Sequence, residues 1–255
     1  MKGVYPFTNE NLTSYQNLYH FDNAKVLSVL GSGDQYFSSL LYGAKEIELY
    51  DCNFLAWDFF VLKFYGILTL SYEEFYDFFV KNSLEDLKCF RKLLTYLPND
   101  IANRLAKLQK EHRCLSRLLY IDYIADKYNN GRCIPYFEKE KYYKLQALLR
   151  KRTLPKFYFS YLQSMPSIVD NKSYDIILTS NIFDWMYGDL DSDCVVAYKQ
   201  LLSQFTCGEI QALYKWTLSE TLKSELERNG FEIETVPATK VLSLSHDWVA
   251  SLRNR

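Results

Sequence analysis

Glycine and proline are scarce in this chain. Gly occurs 9 times and Pro 6 times in 255 residues, which is about half of their usual frequency. A fold built from many short strands joined by tight turns needs more of both residues, so their scarcity argues against a loop-rich all-β protein. Long helices are the expected alternative. With 48% hydrophobic and 24% charged residues, the composition also excludes a disordered or collagen-like chain.

Patterns for metals, disulfides and membrane spans are also missing. The three histidines have no spacing that suits a shared metal ion, and the six cysteines form no CxxC pair. We therefore predict no metal site, and reduced thiols in a cytoplasmic protein. The N-terminal residues lack the apolar core of a signal peptide, and the most apolar stretch, Phe54–Leu70, is interrupted by Asp58 and Lys63. We expect no transmembrane segment.

The clearest positive signal is a strand, a tight turn and a helix near the N-terminus. An apolar run at 24–30 is broken by Gly31-Ser32-Gly33, and a helical pattern follows at 35–41. A second strand at 46–50 ends in Asp51, 20 positions after Gly31. This spacing is typical of a βαβ nucleotide-binding unit, in which the turn approaches the ligand and the carboxylate accepts hydrogen bonds from ribose hydroxyls.

The rest of the chain alternates between helical and extended patterns. After Asn53, helical periodicity continues for about a hundred residues, and Ser71/Glu74 and Ser83/Asp86 have the spacing of capping boxes. Alternating apolar residues then predict five more strands, at 156–160, 174–179, 209–214, 231–236 and 240–245. The last two strands are too close for a crossover helix, so we expect them to form an antiparallel hairpin.

These elements predict an α/β fold, with a Rossmann-like seven-stranded sheet that is mostly parallel and ends in an antiparallel C-terminal hairpin. Such a sheet is the layout of class I S-adenosylmethionine-dependent transferases. We expect residues 1–255 to form one domain. The helical region at 72–152 is predicted to be an insertion after the second strand that lies over the carboxyl ends of the strands as a lid.

The ligands that a glycine turn of this kind can bind differ in the residues that must follow the turn. The NAD fingerprint needs a small residue where this chain has Tyr36, and a bulky ring there opposes close packing of helix and strand. The phosphate-binding P-loop needs Gly-Lys-Ser/Thr, which does not follow. S-adenosylmethionine is therefore the favoured cofactor. A tight turn that binds nothing is the structural alternative.

Three stretches, 26–34, 47–53 and 70–75, resemble the bacterial S-adenosylmethionine-dependent 3-amino-3-carboxypropyl transferases and the shorter, methyltransferase-like proteins related to them. Members of that family act on diacylglycerol in betaine-lipid synthesis. The resemblance covers about residues 7 to 80, with a weaker similarity at 174–181.

The resemblance also implies a set of cofactor-binding residues. Gly31, Ser32, Gly33 and Asp34 would surround the amino-acid end of the cofactor. Asp51 would hold its ribose, and Cys52 and Asn53 would line the adenosine. The N-terminal segment would cover the site with Phe7, Thr8 and Asn9.

Two other groups of residues are candidates for the acceptor side. Asn181 and Asp184 follow the fourth strand, where substrates of open α/β sheets bind, and we predict that they orient an acceptor hydroxyl or amine. Capping of the loop by these side chains is the alternative. Residues 101–156 contain 14 Lys and Arg against 5 Asp and Glu, with the densest cluster at Arg150, Lys151 and Arg152. We predict that this cluster binds an anionic acceptor, with a solvated helical surface as the alternative.

The sequence thus predicts a group transferase that moves a methyl or a 3-amino-3-carboxypropyl group from S-adenosylmethionine to a small or lipid-like anionic acceptor. Peripheral contact with a membrane surface fits a lipid headgroup, and we do not expect a nucleic acid partner. The alternative is a non-catalytic protein that keeps the fold for binding or interaction. Gly33→Val is expected to abolish cofactor binding with a modest effect on the fold.

Overall fold

The structure is a computed structural model and describes residues 3–81, 84–119, 133–187, 192–238 and 246–253. Its strands are β1 (Lys25–Val29), β2 (Glu46–Asp51), β3 (Phe157–Phe159), β4 (Ser173–Leu178), β5 (Thr206–Lys215), β6 (Glu232–Pro237) and β7 (His246–Arg253). Its α-helices are α1 (Leu12–Leu18), α2 (Asp34–Leu41), α3 (Phe54–Thr69), α4 (Tyr72–Phe75), α5 (Leu87–Leu94), α6 (Asn99–His112), α7 (Lys139–Leu149), α8 (Met165–Ile168), α9 (Ile182–Tyr187), α10 (Ser192–Leu202) and α11 (Glu220–Arg228).

All seven strands join one sheet in the order β3-β2-β1-β4-β5-β7-β6. The pairings among β1 to β5 are parallel, whereas β7 runs antiparallel to both β5 and β6. The predicted seven-stranded, mostly parallel sheet with an antiparallel C-terminal hairpin is therefore confirmed. The segment predicted as the seventh strand, 240–245, lies outside the described residues, and β7 begins at His246.

Helices cover both faces of the sheet, so consecutive residues of a central strand enter different cores. On β1, Val26 packs in the core that contains Phe37 of α2, whereas Leu27 packs in the core that contains Tyr198 of α10 and Leu222 of α11. Side chains alternate across a strand, and both of these faces are apolar. This explains why the region of β1 forms an apolar run in the sequence.

The strand order reverses at β1. From β1 the chain continues to β2 and β3 on one side, and it then returns to β4 and β5 on the other side. A reversal of this kind leaves a crevice outside the carboxyl ends of the two central strands, because the connections leave toward opposite faces. The segments after β1 and β4 therefore meet at one edge of the sheet.

The described helices of the insertion after β2 pack on helix α3. Helix α3 is apolar almost all round, and a helix of that kind must be covered on both sides. Helices α5, α6 and α7 pack against it, and α7 also packs against α2. The described part of the insertion therefore thickens one helical layer. No helix within the described ranges is both long and apolar enough to cross a membrane.

One of the two predicted capping boxes is present, and the other helix begins at a different residue. Ser71 and Glu74 form the predicted capping box at the start of α4. For α5 the N-cap is Asp86, whose side chain accepts from the backbone N–H groups of Lys88 and Cys89. The helix therefore begins three residues later than the Ser83/Asp86 spacing suggested, and Ser83 itself lies outside the described residues.

Candidate ligand-binding cleft

A cleft of about 430 Å³ opens at the carboxyl ends of β1 to β4. This volume is in the usual range for small-molecule sites. Five segments contribute its lining, and they lie within 3–9, 29–35, 50–56, 160–163 and 180–186. The described residues of the 72–152 insertion are not among them, and its role as a lid stays a prediction.

Asp51 joins the glycine turn to the end of β2. Its Oδ2 accepts the backbone N–H of Gly31 at 3.0 Å, and its Oδ1 accepts that of Asn53 at 2.8 Å. The carboxylate also accepts a backbone hydrogen bond from Cys52, and Asp51 lines the cleft. Burial raises the pKa of Asp51, although the hydrogen bonds from these backbone groups oppose the shift. The predicted ribose-binding carboxylate is thus held rigidly at the cleft.

Asp34, by contrast, is hydrogen-bonded to other residues of the protein. Its carboxylate is fully buried and accepts hydrogen bonds from Lys63 Nζ at 2.8 Å, Ser32 Oγ at 2.8 Å, Thr8 N at 2.5 Å and Tyr136 OH at 2.5 Å. Asp34 does not line the cleft. The contact with a cofactor that the resemblance implies for Asp34 therefore has no support in this geometry.

Lys63 lies behind the cleft wall, and the sequence analysis considered it only as a charge that interrupts an apolar stretch. Its Nζ donates to the carbonyl oxygens of Pro6 at 2.6 Å and Ser32 at 2.9 Å, besides the bond to Asp34. It also lies 4.3 Å from the centre of the Phe7 ring. Burial lowers the pKa of Lys63, and Asp34 opposes that shift. Lys63 thereby fastens the N-terminal segment to the glycine turn, and the signal for it was a lysine inside an apolar helix.

The N-terminal segment forms one wall of the cleft. Thr8 and Asn9 line the cleft, whereas Phe7 is buried and packs edge-on against Phe137 of the insertion at 5.0 Å. The insertion thus supports this wall from behind.

Glu10 links the same segment to the end of β4. The carboxylate is buried and accepts hydrogen bonds from Tyr15 OH, from Gln35 Nε2 at 3.3 Å and from Ser180 Oγ. Burial raises the pKa of Glu10, although these three donors lower it. Ser180 has a left-handed backbone with φ 59°, which is strained for a residue other than glycine, and Gln211 accepts its N–H at 2.7 Å. No sequence motif marks Glu10.

The predicted acceptor-orienting pair is divided by the structure. Asn181 lines the cleft next to Ser180, whereas Asp184 does not line it and accepts a hydrogen bond from Lys215 Nζ at 2.7 Å. Cys52 and Asn53 line the cleft, and the contact with adenosine that the resemblance implies for them stays a prediction. The Asn53 side chain also caps α3, because its oxygen accepts the N–H of Leu55 at 3.2 Å.

The basic cluster at 150–152 lies elsewhere. Arg152 donates to the carbonyl oxygens of Ala44 and Lys45, which precede β2, at 3.2 and 3.0 Å. The six residues of β2 separate this point from the cleft by roughly 20 Å. The role predicted for Arg150, Lys151 and Arg152 in binding an acceptor therefore has no support from their position.

Charged and metal-binding groups are few in the described part of the site. Among the described residues that line the cleft there is no Lys, Arg or His, and Asp51 is the charged side chain. Across the described ranges, no group of three or more His, Cys, Asp and Glu is placed to hold a metal ion. None of the six cysteines forms a disulfide.

Among known proteins, this chain is similar to solved structures in the path of its backbone. No protein-family model and no curated protein matches the chain. One similar solved structure is the ribosomal protein L11 methylase from Lactobacillus delbrueckii subsp. bulgaricus, with 11% identity over 98% of this chain and 81% of that chain and a TM-score of 0.39. Another is the magnesium protoporphyrin IX methyltransferase from Synechocystis PCC 6803 with bound SAM, at 10% identity, 95% and 74% coverage and a TM-score of 0.40. A third is a putative SAM-dependent methyltransferase from Streptococcus mutans, at 9% identity, 96% and 49% coverage and a TM-score of 0.45. These values describe a shared path of the chain and give no basis for assigning a family or an activity.

Proposed function

We propose that the cleft binds S-adenosylmethionine and that the protein is a transferase that uses it. The observation that carries this proposal is the Asp51 carboxylate, which Gly31 and Asn53 hold at the point where the strand order reverses. Ribose hydroxyls are donors that a carboxylate in this position accepts. Backbone bonds from Gly31, Asn53 and Cys52 leave acceptor capacity on the carboxylate for one such donor, since a carboxylate has about four acceptor sites.

The rest of the cleft is compatible with a ligand of positive charge. The sulfonium of S-adenosylmethionine meets no Lys, Arg or His among the described lining residues, and Asp51 supplies a negative charge. Gly31 lets the backbone come close to the ligand, since a Cβ built there has no atom within 4 Å. These residues support the assignment of this ligand to the cleft.

S-adenosylmethionine, which Asp51 and the turn at Gly31 would hold, would supply an electrophilic carbon on sulfur for transfer to a nucleophilic atom of the acceptor. The protein's own residues have to position the acceptor and exclude competing water. Asn181, at the cleft end of β4, is the described amide placed to orient an acceptor there. No covalent protein nucleophile is needed.

Replacing Asp51 by Asn is expected to raise the dissociation constants of S-adenosylmethionine and S-adenosylhomocysteine about 10- to 150-fold. This corresponds to the loss of about 1.5–3 kcal/mol, the range for hydrogen bonds to a charged group. Isothermal titration calorimetry measures both constants. Asp175→Asn is the matched control, because Asp175 also accepts a backbone N–H, that of Lys25 at 2.7 Å, at the opposite edge of the sheet. Unchanged affinity in a folded Asp51→Asn protein would contradict the proposal.

The pH dependence of binding gives a second prediction for Asp51. Burial raises the pKa of Asp51 above its ordinary value of 3.8, so the carboxylate is protonated at a higher pH than usual. Since the protonated form is a weaker acceptor for ribose hydroxyls, we expect affinity to fall as the pH is lowered toward this pKa. The Asp51→Asn variant should lose this dependence. An equal decline in the variant and the wild type would assign the effect to another group.

Product analysis separates a transferase from a protein that only binds the cofactor. The protein is incubated with S-adenosylmethionine and a panel of acceptors, and the nucleoside products are separated by chromatography. Formation of S-adenosylhomocysteine indicates methyl transfer, and formation of methylthioadenosine indicates 3-amino-3-carboxypropyl transfer. Binding without either product would support the non-catalytic alternative.

A further inference from the structure

Two strongly exposed aromatic side chains line the cleft. The three most exposed large hydrophobic side chains of the described residues are Tyr161 (64%), Phe159 (62%) and Trp185 (61%), and the next is 49% exposed. Tyr161 and Trp185 line the cleft, whereas Phe159, the last residue of β3, packs against Phe54 at 5.6 Å. Exposure of large apolar rings to water is unfavourable, so two such rings in the lining of one cleft indicate a surface that a ligand covers.

The polar groups beside these rings are uncharged. Ser160 and Gln163 lie next to Tyr161 in the lining, and Asn181 is in the lining segment that contains Trp185. The carboxylate of Asp51 is assigned to the cofactor. An anionic ligand would lose its hydration on entering this site and would find no positive charge among the described lining residues, which is unfavourable. A neutral ligand with one hydrogen-bonding group suits these side chains.

We propose that the cleft mouth is an acceptor site for a small, uncharged aromatic compound. Its ring packs against Tyr161 and Trp185, and its hydroxyl or amine hydrogen-bonds to Asn181. Aromatic rings favour offset-stacked or edge-to-face contact with one another, which a saturated ring of the same size does not reproduce. This inference rests on the proposed function, because it specifies the acceptor of the same transferase.

A nucleic acid suits the cleft mouth less well than a small aromatic compound does. Its phosphates require Lys or Arg for affinity, and the described cleft lining contains neither. The densest basic cluster contains Arg152, which is bound at the amino end of β2 rather than at its carboxyl end. A small compound needs only the rings and the uncharged polar groups that are present.

The experiment uses the full chain saturated with S-adenosylhomocysteine, so that the cofactor part of the cleft is filled. Phenol and indole are the neutral aromatic probes, cyclohexanol is the saturated control, benzoate is the anionic control, and a 12-nucleotide oligouridine represents nucleic acid. Saturation-transfer NMR detects weak binding and gives dissociation constants by titration. We expect phenol and indole to bind at least five times more tightly than cyclohexanol and benzoate.

Variants connect this binding to the two rings. With the protein kept saturated with S-adenosylhomocysteine, Tyr161→Ala and Trp185→Ala are each expected to weaken the binding of phenol and indole at least fivefold. Tyr161→Phe retains the ring and should bind these probes as the wild type does. Tyr96→Ala is the matched control, because Tyr96 is 49% exposed and is not part of the cleft lining. It should have no effect.

Several results would overturn the proposal. These are equal binding of cyclohexanol and phenol, tighter binding of benzoate than of phenol, and undiminished binding of the neutral probes by both alanine variants. Salt-sensitive binding of the oligouridine that is tighter than that of the free rings would identify nucleic acid as the partner instead. If S-adenosylhomocysteine itself does not bind, the proposed function fails, and titration of the probes into the protein alone still decides whether the rings form a site.

Discussion

Replacing Asp34 by Ala is expected to lower the free energy of unfolding by about 3–5 kcal/mol, because the variant leaves the Lys63 ammonium buried without its counter-charge. Both side chains are almost completely inaccessible, at 5% for Lys63 and 0% for Asp34. The carbonyl oxygens of Pro6 and Ser32 remain as acceptors but carry no full charge. Urea unfolding followed by circular dichroism measures the loss.

Two further variants test this explanation. Asp100→Ala removes an exposed ion pair with Arg104 at 3.0 Å and should cost no more than about 0.5 kcal/mol. Combining Asp34→Leu with Lys63→Met removes both charges and should recover part of the stability lost in the single variant, since the Thr8 N–H and the Tyr136 O–H still lack their acceptor. A loss below about 1 kcal/mol for Asp34→Ala would mean that Lys63 reaches water when its partner is absent.

The substitution Gly33→Ala is expected to cost about 2–4 kcal/mol of stability. Gly33 has φ +82°, a conformation that costs a residue with a side chain roughly 1–2 kcal/mol. A Cβ at this position would lie 2.6 Å from Cδ2 of Phe60, and overpacking of a core costs about 1–3 kcal/mol. Phe60 cannot easily yield, because it is buried and stacked against Phe37 at 5.5 Å. Thermal and urea unfolding measure the loss.

Gly31→Ala is the matched control for that prediction. Gly31 also has a positive φ, of +50°, but a Cβ there meets no atom within 4 Å. We expect a smaller loss of stability, of about 1–2 kcal/mol, together with weaker binding of S-adenosylmethionine, since Gly31 lines the cleft. If Gly31→Ala and Gly33→Ala are equally stable, the contact with Phe60 does not lower the stability of Gly33→Ala. The geometry thus revises the expectation that Gly33→Val leaves the fold nearly intact.

The features that were predictable from the sequence are local ones. The strand, glycine turn and helix over residues 25–41 depend on neighbours within a few positions, and so does the capping box at Ser71. The place of Asp51 at the end of β2 follows from the alternation of polar and apolar residues in that strand. Likewise, runs of apolar residues separated by helical patterns indicate a mostly parallel sheet.

The functional details depended on contacts between distant residues. Lys63 and Asp34 are 29 positions apart, and Glu10 and Ser180 are 170 positions apart, so no local pattern signals either pairing. The position of Arg152, at the amino end of β2, follows from its contacts with Ala44 and Lys45. The described wall of the cleft contains residues of the N-terminal segment and no described residue of the insertion.

By itself, the sequence determined the order of the strands along the chain, the glycine turn and the carboxylate after β2, because backbone conformation and side-chain periodicity act over short distances. The tertiary structure decided which polar groups are buried together and which aromatic rings stay exposed at the cleft. Those outcomes follow from how the helical layers pack on the sheet, since a residue's solvation and its partners exist only after distant segments have met.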